Sequence, residues 1–96
     1  MKLVINTCHG GFSLSAKAIE LGKQLAPECD WDTYSYPARN HPALIHVVET
    51  LGEAANGMCA ELTIVDIPKG EHYEIAEYDG LESVRIIRLD DFPVAT

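Results

Sequence analysis

The run Leu3-Val4-Ile5 carries no polar residue on either side of the pleat, and Asn6 and Thr7 bring it to a close. Side chains alternate faces along a strand, so a continuous apolar run wants burial on both faces, as in a parallel sheet packed on each side. The segment Cys8-His9-Gly10-Gly11-Phe12-Ser13 is too polar and too glycine-rich to continue that strand. Leu14, Ala18, Leu21 and Leu25 then recur at helical spacing until Pro27 stops them, and Ser13 stands where an N-cap belongs. The pattern predicts a strand over 2–6, a loop over 8–13 and an amphipathic helix of about three turns.

The rest of the chain alternates in the same way. Trp31-Asp32-Thr33-Tyr34-Ser35-Tyr36-Pro37 reads as a short strand near 32–36, followed by a loop, Ala38-Arg39-Asn40-His41-Pro42. From Pro42, Leu44, Val47, Val48, Leu51 and Ala55 share one helical face. His46, Glu49, Thr50 and Glu53 take the other, and Asn56-Gly57 is the stop. Residues 61–68 read as a β-branched strand ended by Pro68 and Gly70. His72–Tyr78 and the stretch from Leu81 are two strands joined by Asp79-Gly80, the pair a two-residue type I′ turn prefers. An acidic tail begins at Asp90. The order predicts one α/β domain over 1–96, a small β-α-β-α-β unit with parallel strands followed by a C-terminal β-hairpin.

Charge limits the partners. Fifteen acidic against seven scattered basic residues give −8, so no basic stripe exists to neutralise a nucleic acid polymer, whereas a small anion needs only main-chain N–H groups and a cation or two. Three widely spaced cysteines without a CxxC pair encode neither a disulfide framework nor a zinc ribbon. With an apolar start too short for a signal sequence and no run of membrane-spanning length, the chain reads as cytoplasmic.

In such a sheet the loops after parallel strands meet at the carboxyl edge, where ligands of open α/β sheets bind. That edge would collect Cys8, His9, Gly10, Gly11, Phe12, Ser13, Arg39, Asn40, His41 and Lys69. Gly10 and Gly11 allow close main-chain approach to a ligand, and Arg39 grips phosphate or carboxylate with two hydrogen bonds. The same glycines also serve as a plain strand-to-helix connection. Walker A and dinucleotide fingerprints are absent, and Leu14 stands where a cysteine phosphatase loop needs arginine. Cys8 is either an inert buried thiol or a nucleophile with His41 or His9 as base, although its neighbour His9 points to the opposite face. Cys8, His9 and His41 do not match a known metal signature, so no metal or cofactor is assigned. Tyr78 and Glu82 flank the hairpin turn, either as turn neighbours or, with the hairpin folded over the edge, as a base platform and an acceptor for ribose hydroxyls.

The patterns VINTCHGGFSLS, RNHPALIHVVETLGEAANG and IPKGEHYEIAEYDGLESV resemble, over nearly the whole chain, a family of small bacteriophage and prophage proteins. That family shares a VIN-x-C-x-GGFSLS opening and an EYDG strand end. Gly10, Gly11, Ser13 and Arg39 match its pattern. His9 and His41 stand where those relatives often carry tyrosine and aspartate. The likeness implies a fold and a viral context, hence host cytosol. By analogy with phage counter-defence sponges, it suggests a homo-oligomer that sequesters a phosphate-bearing signalling nucleotide, either a cyclic nucleotide or an ADP-ribose derivative. The alternatives are a Cys8-dependent enzyme that cleaves such a ligand, or an acidic protein that inhibits a host enzyme.

Overall fold

Strand β1 (Lys2–Asn6) lies at the centre of the molecule, with Leu3, Val4, Ile5 and Asn6 all buried, as its unbroken apolar run demands. The computed structural model describes residues 1–31, 36–68 and 70–87. The strand expected near 32–36 therefore falls outside the described residues except for Tyr36, which is not in a strand, and Lys69 and the acidic tail fall outside them too.

Helix α1 (Ala16–Leu25) starts two residues later than Ser13 would have set it. Ser15 is the cap, its Oγ accepting the Ala18 N–H at 3.1 Å. Residues 13–15 instead run extended beside 55–57: Ser15 N–H donates to Ala55 O, Gly57 N–H donates to Ser13 O, and Leu14 bridges Asn56. Helix α2 (Pro42–Leu51) begins with proline at its first position and passes into a 3₁₀ turn over Gly52–Ala55. Its apolar stripe buries Leu44, Val47 and Val48 against α1, Val4 and Trp31. Trp31 is core, its indole N–H donating to Ala26 O at 2.9 Å and its ring lying flush on Gly22.

The parallel β-α-β-α-β arrangement is not what forms. β2 (Leu62–Asp66) pairs with β1 antiparallel, Lys2 opposite Asp66 and Asn6 opposite Leu62. The reason lies in α2. It begins near the amino end of β1, where Asn40 Nδ2 meets Met1 Sδ at 3.6 Å. It leads to the carboxyl end, where Asn56 bridges Leu14 and its Oδ1 takes the Leu62 N–H at 2.8 Å. A helix that travels with β1, rather than back along it, leaves the chain at the carboxyl end, so the next strand has to run the other way. The rule for parallel strands presumes that the helix makes the return.

β3 (His72–Tyr78) and β4 (Leu81–Ile87) form a second two-stranded antiparallel sheet. Asp79 and Gly80 have φ of 53° and 90°, both positive as a type I′ turn requires. This turn folds over the carboxyl end of β1. Gly80 sits so tightly against the glycine loop that a Cβ there would lie 2.6 Å from Gly11 N.

Candidate functional site

The reversal of β2 rearranges the expected site. The end of β2 leaves the carboxyl edge: Ile67 N–H donates to Met1 O, and the terminal ammonium pairs with Asp66 at 3.1 Å, all at the amino end of β1. Asn40 is at that end as well. The carboxyl end of β1 instead gathers the 8–13 loop, the 56–61 connection and the hairpin turn.

Two buried polar residues hold this region together: Asn6 bonds to all three segments, and Glu82, just past the hairpin turn, bonds to Asn6 and to Arg39. Asn6, fully buried, donates from Nδ2 to Cys8 O (2.6 Å) and Gly80 O (2.7 Å), while its Oδ1 accepts the Glu61 N–H (2.8 Å). Its own N–H donates to Glu82 Oε1 at 2.8 Å. Glu82, 8% exposed, forms a two-pronged ion pair with Arg39, Nη2 to Oε2 being 2.8 Å. The guanidinium lies 3.7 Å over the Phe12 ring, which stands edge-on to Tyr36 with centroids 5.2 Å apart. Arg39, expected to face a ligand, thus has its counter-charge from the chain itself. The sequence offered Glu82 as a turn neighbour or as an acceptor for ribose hydroxyls, and here its carboxylate is taken by Arg39 and Asn6 instead. Asn6 drew no role, although a polar residue closing a doubly buried strand was a visible sign that something must satisfy it.

The loop residues are likewise engaged. Gly10 abuts the Cys59 main chain so closely that any Cβ would collide with it. Gly11 has φ of 89°, and Ser13 Oγ donates to Met58 O at 3.2 Å. His9 is exposed at the loop tip, and Tyr78, at the hairpin tip, is 78% exposed. The glycines are used for packing two connections together.

His41 is not brought to Cys8. Its Nδ1 caps α2 by accepting the Ala43 N–H at 3.1 Å, so the ring proton sits on Nε2, which faces Cys29 Sγ at 3.4 Å. A base needs a free lone pair toward the thiol, and this tautomer offers a proton instead. Among the described residues no group of three His, Cys, Asp or Glu side chains is placed to hold a metal.

Cys8 lines a cleft of about 600 Å³ on the other side of the loop, with Glu53, Asn56, Cys59, Glu61 and Thr63 around it. Asn56 is anchored there by its bond to Leu62, and Thr63 Oγ1 by Thr7 Oγ1 at 3.1 Å. Two carboxylates, an amide and a hydroxyl form a lining that accepts hydrogen bonds from hydroxyl or amine groups and repels phosphate. No helix among the described residues is long and apolar enough to cross a membrane. No protein-family model, curated protein or solved structure matches the chain.

Proposed function

We propose that the chain is a binding module whose ligand enters the cleft beside Cys8, and that it acts as a counter-defence sponge for a signalling nucleotide in a virus-infected cell, working as a homo-oligomer. The cleft carries the reading. Its volume suits one mononucleotide-sized group, and its acceptors suit the base and ribose hydroxyls of such a molecule. The phosphates would point outward, away from Glu53 and Glu61. The phosphate cradle expected from Gly10, Gly11, Ser13 and Arg39 is not favoured, because Ser13 Oγ and Arg39 already bond Met58 and Glu82, and Gly10 and Gly11 pack against Cys59 and Gly80. Binding is preferred over cleavage because His41 presents a proton, not a lone pair, to the one thiol it meets.

Titration calorimetry with nucleosides, cyclic dinucleotides and ADP-ribose tests this. The expected result is saturable binding of a ribose-bearing member, weakened at least tenfold by Glu61→Gln, with the ligand recovered intact. Absence of heat with every member refutes it. Binding that survives Glu61→Gln and is lost in Arg39→Lys would return the ligand to the glycine loop, and recovery of a cleaved product would make the protein an enzyme.

A further inference from the structure

Among the described residues β3 is hydrogen-bonded to β4 alone, so its outer edge carries no second strand. The other edge of the ribbon, at β4, is the one that approaches β1 through Glu82 and Asn6. With a two-residue turn, Tyr78 and Leu81 are the hydrogen-bonded pair that closes the hairpin, and hydrogen-bonded pairs then alternate along the ladder. Ala76, Glu74 and His72 therefore spend their main-chain groups on β4. Tyr73, Ile75 and Glu77 present N–H and C=O outward. A row of such groups on a regular edge strand is a template for a further strand.

We infer that this edge pairs with the β3 edge of a second copy of the chain, antiparallel about a twofold axis at Ile75, joining two hairpins into one four-stranded sheet. The sequence of β3 is self-complementary in that register. Tyr73 and Glu77′ would be hydrogen-bonded pairs, as would Ile75 and Ile75′, so every outward group finds its partner. His72 falls opposite Tyr78′ and Glu74 opposite Ala76′, which puts no like charges face to face. Sliding by two residues in one direction sets Glu74 against Glu74′. Sliding the other way sets Asp79, in the turn, against Tyr73′ and ends the ladder early. A one-residue slip would oppose outward groups to inward ones. The half-buried stripe of Tyr73, Ile75, Val84 and Ile86 on one face of the ribbon would then continue across the twofold axis. A closed twofold pairing uses up both exposed edges and stops there. This proposal does not depend on the cleft or its ligand.

Sedimentation equilibrium of the whole chain between ~1 and ~200 µM, together with amide hydrogen exchange, tests it. The expected result is a monomer–dimer equilibrium that tightens as salt rises, because each copy carries −8 and the repulsion is screened. The amides of Tyr73, Ile75 and Glu77 should gain protection in the dimer. Ile75→Pro removes only an outward N–H and should weaken dimerisation at least tenfold with the monomer's circular dichroism unchanged. Ile75→Lys, which opposes two ammonium groups at the axis, is the second variant should the proline disturb folding. A monomer throughout the range overturns the proposal. So does a dimer unaffected by Ile75→Lys, or one in which those three amides exchange freely.

Discussion

Removing the Glu82 carboxylate tests how the hairpin is held to the body. In Glu82→Ala the Arg39 guanidinium loses both of its charged hydrogen bonds, and the buried Asn6 N–H loses its acceptor. Losing one partner of a buried ion pair costs about 3–5 kcal/mol, because the survivor stays desolvated without compensation. Arg39 keeps a quarter of its side chain in contact with solvent, so water can relieve part of this, which favours the lower half of the range. The orphaned N–H adds about 1 kcal/mol. A loss of about 4 kcal/mol is expected, and for a chain of this size each kcal/mol is worth ~4–8 °C in melting temperature. The assay is a double-mutant cycle by urea denaturation with Arg39→Met, Glu82→Leu and the double variant. The double variant should be less destabilised than the two single changes summed, by ~2 kcal/mol or more, since no unpaired charge remains. The exposed pair Arg85–Glu74, at 3.2 Å, is the internal control, and breaking it should cost under ~1 kcal/mol. Single variants within ~0.5 kcal/mol of wild type, or strict additivity, would refute the clamp.

Further expectations concern the loop and the caps. Gly10→Ala should lower stability by ~1–3 kcal/mol through collision with the Cys59 main chain, read by thermal denaturation, and a neutral result would mean that the 8–13 loop and the 56–61 connection are not packed together. Ser15→Ala should cost about 1 kcal/mol as a lost helix cap. Ser13→Ala, which loses a single exposed bond to Met58 O, should cost less, and the reverse order would restore Ser13 as the cap.

Much of the local structure could be read from residue order. Leu3-Val4-Ile5 demanded a doubly buried strand, and β1 is one. The spacing of Leu44, Val47 and Val48 set the buried face of α2, and Asp79-Gly80 set the turn between β3 and β4. These features depend on neighbours a few residues away, where periodicity and φ preference act directly. The direction of β2 was not legible, because it depends on whether α2 returns along β1 or travels with it, and both courses satisfy the same apolar stripe. The expected site followed from that direction and changed with it. Gly10, Gly11, Ser13 and Arg39 had the chemistry of an anion cradle, and sequence alone could not show that Cys59, Gly80, Met58 and Glu82, 43 to 69 positions further along the chain, would already pack on or bond to them.

What the residues determined by themselves is the set of elements and the polar groups that would need partners. Which partners they found, and hence which surface is left to meet a ligand, was decided only when the antiparallel return of β2 and the folded hairpin brought distant segments to the carboxyl end of β1. Hydrogen bonds and ion pairs between such segments form where the chain path places them, and local sequence does not encode that path.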